Sequence, residues 1–151
     1  MAVIPSPSRM PEGMNLEVRT SRFDLNEQLS KEWLDKDAFK TAFFNALSMT
    51  FPAGERFFID SVRHYKTDVT DPKLKQEISH FIGQEGMHSR ERRKYNRILC
   101  ELGGYSQEKM EGRTEKMIQL GKAKMPPMAR LAATGGVEHL TAILADKILN
   151  G

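Results

Sequence analysis

Four side chains in this sequence have the types and spacing needed to bind a metal ion together. Glu85 and His88 form a Glu-x-x-His motif, and Glu55 and Glu138 are single glutamates in two other segments. Residues three apart on a helix lie on one face, so Glu85 and His88 can reach the same ion. Carboxylate oxygens with an imidazole nitrogen suit iron, manganese or zinc, and dimetal helical bundles use this combination of motifs. Glu85 would then be placed to bridge to a second ion.

The three glutamates share a helix face with apolar residues. When the residues are placed at about 100° intervals around a helix, Glu55, Glu85 and Glu138 each fall within the apolar stripe of their own segment. A buried, unpaired carboxylate costs on the order of several kcal/mol, and three that converge would repel one another. They must therefore be protonated, paired with cations or bound to metal, and metal binding is the simplest of these solutions.

Each residue also has a reading without metal. Glu55 follows Pro52 closely and could stabilise the first turn of a helix that restarts there. Arg92 lies about 20° from Glu85 on the inward face, so it could form a core salt bridge with Glu138. The remaining histidines lie away from these glutamates on the helical wheel, and we expect ordinary surface or packing roles for them: His64, His80 and His139.

The elements that must position these residues are helices. Helical periodicity, prolines and glycine stops predict four of them, over residues 37 to about 66, 71 to 103, 107 to about 120 and 128 to 149, with a kink or restart of the first at Pro52. Asp71 and Pro72 supply a cap and a first-turn proline, and Gly103 and Gly104 supply a stop. No alternating strand pattern is present, so we predict an all-α bundle over residues 37–151, preceded by a partly extended arm over residues 1–36.

The composition limits the function classes. The 151 residues suffice for one domain, and 23 Lys and Arg against 20 Asp and Glu give a net charge of +3. The lone Cys100 cannot form an internal disulfide, and no signal peptide or membrane-spanning run is present, so we expect a cytoplasmic protein without a membrane partner. Basic residues 90–97 could contact nucleic acid, but without a recognised motif a solvated face is the better interpretation.

Two blocks of sequence resemble the predicted metal-dependent hydrolase family of bacteria. The first is Ala46-Leu47-Ser48 followed by Phe51-Pro52-Ala53-Gly54-Glu55-Arg56-Phe57-Phe58, and the second is Phe81-Ile82-Gly83-Gln84-Glu85 with His88 and Tyr95-Asn96. The resemblance covers roughly residues 37 to 149. It implies a ferritin-like bundle, a divalent metal held by Glu55, Glu85, His88 and Glu138, and hydrolysis of a small-molecule substrate.

The same resemblance implies two departures in this chain. The family's pattern continues into a further helix with a second glutamate and histidine motif, and it places a histidine where Arg92 stands. We therefore expect a bundle without its fourth ligand helix, and a homodimer that covers the apolar face left by its absence. Two alternative functions follow: a di-iron oxidase, because carboxylate sites host that chemistry as well, and a metal-free helical binding protein in which Arg92 neutralises the carboxylates.

Overall fold

The computed structural model describes residues 10–150 apart from Glu12, Ser21, Asp24 and residues 26–28. This part of the chain contains four helices and no strand, which confirms the predicted all-α bundle. The helices are α1 (Ala38–Arg63), α2 (Pro72–Gly103), α3 (Gln107–Lys124) and α4 (Pro127–Asn150). The predicted boundaries hold within four residues, the largest differences being an earlier end of α1 and a later end of α3.

The helix ends follow the capping signals in the sequence. The Asp37 carboxylate accepts hydrogen bonds of 2.9 Å from the amides of Phe39 and Lys40 and so begins α1. Asp71 begins α2 in the same way, accepting from the Leu74 amide at 2.6 Å. At the other end of α2, Gly104 adopts a φ of 70°, the left-handed conformation that glycine tolerates best, and terminates the helix.

Helix α1 continues through Pro52 and does not restart there. Proline has no amide hydrogen, so the Ser48 carbonyl one turn earlier loses its usual partner within the helix. The side chain of Asn96 on α2 replaces that partner, since its Nδ2 donates to the Ser48 carbonyl at 3.2 Å while the Ser48 hydroxyl donates to Asn96 Oδ1 at 2.6 Å. Asn96 is completely buried. A side chain on one helix therefore compensates for the proline in the other.

The core between α1 and α2 is small and continues into polar contacts with α3. Met49, Leu99 and Cys100 form its buried apolar cluster, and Trp33 and Tyr95 pack against it. Glu111 on α3 accepts a hydrogen bond of 2.9 Å from Asn96 on α2, and two ion pairs join α1 to α3: Arg56 with Glu115, and Lys122 with Asp60. These contacts hold α1, α2 and α3 in one frame.

Helix α4 packs principally on α1. Thr134 is buried, but much of the apolar surface of α4 is exposed, including Val137, Leu140, Ile143, Leu144, Ile148 and Leu149. Among the described residues, none of the helices combines the length and the apolar character that a membrane span requires.

The segment before α1 lies partly against α2. Residues 14–20 have no regular secondary structure, and the Arg19 amide donates to Gln84 Oε1 of α2 at 2.7 Å. Val18 passes close to Gly83, where an added Cβ would lie 2.8 Å from Val18 Cγ2. Residues 1–9 of the predicted arm lie outside the described part. The division into an arm over residues 1–36 and a bundle over residues 37–151 stays a prediction.

Candidate metal centre

Helices α1 and α2 bring three potential metal ligands together. Glu55 comes from the middle of α1, and Glu85 and His88 come from one face of α2. Both carboxylates are buried, each with 4% of its surface exposed, whereas the His88 side chain is half-exposed. One ligand atom from each residue lies within 4.8 Å of the other two. The group is thus closed on the protein side and open to solvent at the imidazole.

Glu138 lies at the edge of this group. It is half-buried on α4, and it is outside the set of ligand atoms that approach one another within 4.8 Å. Burial raises the pKa of Glu138, the neighbouring Glu85 charge raises it further, and His88 opposes both effects. Glu138 therefore acts electrostatically on the site although it does not join the close group. The helical wheel predicted the face of α4 on which Glu138 lies. It could not predict the distance from Glu138 to the other three residues, because that distance depends on how α4 packs on α1.

Glu55 has the most perturbed carboxyl group of the site. Burial is the largest cause and raises the pKa of Glu55 to about 7, Arg92 opposes this effect, and the Glu85 charge adds to it. Its Oε2 is buried without a hydrogen-bond partner, and so is the hydroxyl of Ser89 nearby. Ser89 also acts on Glu55 as a hydrogen-bond donor that lowers its pKa, so a small rotation pairs the two groups, whereas a ligand or a proton would satisfy Oε2 in its place.

The imidazole of His88 lies between a carboxylate and an amide. Its Nδ1 is 3.5 Å from Glu85 Oε1, and its Nε2 is 2.9 Å from Gln84 Nε2. The interaction with Glu85 is the largest influence on His88 and raises its pKa. Sequence reasoning missed Gln84, although its position one turn before His88 on the same helix was a usable signal.

Arg92 pairs with Glu55 and not with Glu138. Its Nε lies 3.8 Å from Glu55 Oε1, and its guanidinium carbon stands 3.9 Å from the centre of the Phe51 ring. The side chain is 43% exposed, so the ion pair borders the site and does not fill it. The core salt bridge between Arg92 and Glu138 that the sequence suggested is absent from the ion pairs of the described residues.

The donor set fits a divalent cation. Bonds of about 2 Å place two ligands of one ion about 3–4 Å apart, so atoms already within 4.8 Å need only small side-chain movements. Two carboxylates and one imidazole match iron, manganese and zinc, and the unpaired Oε2 of Glu55 provides a free acceptor. His64, His80 and His139 do not belong to this group.

Comparison with known proteins agrees with a metal-dependent function. Searches of curated proteins and of solved structures found no significant match. A family model described as predicted metal-dependent hydrolase matches residues 17–151, which is most of the chain and includes every residue of the candidate site. The chain therefore belongs to the family of predicted metal-dependent hydrolases.

Proposed function

We propose that this protein is a hydrolase that holds a divalent cation between Glu55, Glu85 and His88. One observation carries the proposal: a buried carboxylate with an unpaired oxygen lies within 4.8 Å of a second buried carboxylate and an imidazole. A divalent cation bound there would supply Lewis acidity for attack of water on a substrate. Iron, manganese and zinc all suit the ligands, and the substrate is a small molecule that enters from the exposed side of His88.

Glu138 is the proposed proton acceptor of the reaction. It stands at the edge of the ligand group, half-buried, and its raised pKa brings the carboxyl group closer to neutral pH. A carboxylate with these properties can take a proton from water more readily than an exposed one. If a second cation binds through Glu85, as in ferritin-like dimetal bundles, Glu138 becomes its nearest carboxylate from α4.

We also propose that the protein forms a homodimer through α4. The support is the row of exposed apolar side chains on this helix, of which Leu140 and Leu149 are 66% and 80% exposed. Burying such a row against a second copy would remove it from water. Analytical ultracentrifugation of the wild type and of Leu140→Lys tests this proposal: a dimer that dissociates in the variant supports it, and a wild-type monomer at micromolar concentration contradicts it.

The alternative function is a metal-free helical protein. Its support is the Arg92 guanidinium 3.8 Å from Glu55, which offsets part of the buried negative charge without any cation. In that case Glu55 would keep its proton near neutral pH, as its raised pKa allows.

Metal analysis separates the two functions. The wild type and Glu85→Ala are purified without a metal-affinity tag and their metal content is measured by mass spectrometry. Glu101→Ala is the matched control, because Glu101 is exposed on the same helix. Iron, manganese or zinc that disappears only in Glu85→Ala supports the hydrolase. A folded wild type that binds none of these ions, even when they are added, supports the metal-free alternative.

A further inference from the structure

Two hydrogen bonds fix which nitrogen of His88 carries the proton. The backbone amide of Arg19 can only donate, so the Gln84 atom it meets at 2.7 Å must be the acceptor Oε1. The other end of the Gln84 side chain is then its NH2 group, which can only donate, and it lies 2.9 Å from His88 Nε2. His88 Nε2 must therefore accept. The ring proton of neutral His88 resides on Nδ1, the nitrogen that faces Glu85 Oε1 at 3.5 Å.

This tautomer opposes metal binding. A cation beside Glu85 needs the lone pair of His88 Nδ1, but Nδ1 carries the proton, and the lone pair of Nε2 is occupied by Gln84. Binding through Nδ1 releases that proton to solvent and takes one from solvent at Nε2, so the ring stays neutral. The Nε2–H group would then meet the NH2 group of Gln84, and two donors cannot bond to each other. Turning the Gln84 amide over to present Oε1 removes this conflict and keeps the hydrogen bond between Gln84 and the ring.

Turning the Gln84 amide breaks its bond with the arm. Oε1 leaves Arg19, and the NH2 group that replaces it faces the Arg19 amide, which is also a donor. The contact has little room to adjust, because Val18 passes Gly83 so closely that a Cβ there would lie 2.8 Å from Val18 Cγ2. The turned amide therefore weakens the docking of residues 16–19 on α2.

We propose that Gln84 is a positioning residue that links the tautomer of His88 to the docking of residues 16–19 on α2. Docking of this segment favours the His88 tautomer whose Nδ1 carries the proton, and cation binding weakens the docking. The second part rests on the proposed function, whereas the first concerns the protein without metal. A glutamate at position 84 would remove the conflict, because its two carboxylate oxygens can accept from the Arg19 amide and from His88 Nε2–H at the same time.

The first test determines the tautomer of metal-free protein. The 15N shifts of the His88 ring are measured at alkaline pH, where the ring is neutral, in the wild type, Gln84→Glu and Gln84→Met. We expect a proton on Nδ1 in the wild type, on Nε2 in Gln84→Glu, and a mixture in Gln84→Met. Gln76→Glu, an exposed position on the same helix, controls for the added charge and should behave as the wild type. A wild type with its proton on Nε2 overturns the proposal.

The second test adds zinc as the probe. Zinc should accelerate hydrogen exchange of the Arg19 amide in the wild type and leave it protected in Gln84→Glu. Residues that orient a metal-binding histidine typically change metal affinity 10- to 100-fold, so we expect Gln84→Glu to bind zinc at least about tenfold more tightly than Gln76→Glu. Zinc binding without any change at Arg19 in the wild type refutes the coupling. If zinc binds no variant, the proposed function fails, and the tautomer measurement still decides the role of Gln84.

Discussion

Arg92 and Glu55 form an ion pair across the α1–α2 interface, with 3.8 Å between Arg92 Nε and Glu55 Oε1. The guanidinium rests over the Phe51 ring and faces solvent on its other side. It therefore stands next to the buried carboxylate without using the unpaired Oε2 of Glu55. A cation and the guanidinium would share one carboxylate, and their charges would repel each other.

Removing the Arg92 charge should strengthen cation binding. Arg92→Met keeps an unbranched side chain over Phe51 and eliminates the like charge beside the site. The guanidinium is 43% exposed, so water screens it strongly, and at a dielectric constant near 80 a divalent charge about 6 Å away is repelled by about 1.4 kcal/mol. We therefore expect an increase in manganese or zinc affinity of about tenfold by isothermal titration calorimetry. Arg93→Met, an exposed neighbour, is the control and should leave the affinity unchanged. An affinity that falls in Arg92→Met would mean that Arg92 holds Glu55 in its binding conformation.

The stability of the metal-free protein should fall as the pH rises toward 7. The pKa of Glu55 is about 7 in the folded protein and near 4.5 in an unfolded chain, so folding favours the protonated form. This contribution is complete below pH 4.5 and is lost as the pH rises through 7, and it amounts to about 3 kcal/mol. Glu55→Gln mimics the protonated carboxyl group and should lack the loss. Urea denaturation between pH 4.5 and 7 measures the free energy of unfolding of both proteins. The same dependence on pH in the wild type and in Glu55→Gln would contradict the prediction.

Asn96 and Pro52 should be energetically coupled. Asn96→Ala leaves the Ser48 carbonyl without its donor, removes one of the two donors to Glu111 Oε1, and should lower the free energy of unfolding by about 2–3 kcal/mol. In a Pro52→Ala background the new amide can bond to the Ser48 carbonyl, so the same change should cost about 1 kcal/mol less. Chemical denaturation of the four proteins gives the coupling energy. Asn150→Ala, which removes an exposed amide at the end of α4, should cost less than about 0.5 kcal/mol.

The close approach of Val18 to Gly83 can be tested by a pair of substitutions. Gly83→Ala places a Cβ 2.8 Å from Val18 Cγ2 and should displace residues 16–19, which limited proteolysis would detect as faster cleavage before α1. Val18→Ala removes both Cγ atoms and should restore protection in the double variant. Alanine also favours helix over glycine by about 1 kcal/mol, so α2 itself should not weaken. Equal cleavage of wild type and Gly83→Ala would show that the segment is not docked in solution.

The sequence predicted those features that depend on residues close together along the chain. Asp37, Asp71 and Gly104 mark helix ends through contacts within a few residues, so the helices were predicted within four residues. Helical periodicity likewise placed Glu55 and Glu85 on the apolar faces of α1 and α2, where both are buried. Helix ends and helix faces can be predicted from the local sequence, because each depends on residues within one or two helical turns.

Features that depend on contacts between segments were not predictable in the same way. Helical periodicity gives no distance between helices, so it could not place Glu138 at the edge of the group or pair Arg92 with Glu55. The contact of Arg19 with Gln84 joins residues 65 positions apart, and one of them lies in an extended segment without periodicity. The continuation of α1 through Pro52 was not predictable either, because the donor that compensates for the proline comes from Asn96 on another helix.

Because α4 packs principally on α1, the residues of the candidate site are not all held equally firmly. Glu55, Glu85 and His88 belong to helices that are joined to each other and to α3 by buried hydrogen bonds and ion pairs. Glu138 belongs to a helix that rests principally on one neighbour and has few buried side chains. Elements with few buried contacts open at lower free energy than the rest of a protein. Glu55, Glu85 and His88 are therefore held in place, whereas Glu138 can move with its helix. A rotation of α4 against α1 would widen the entrance to the site without displacing the other three residues.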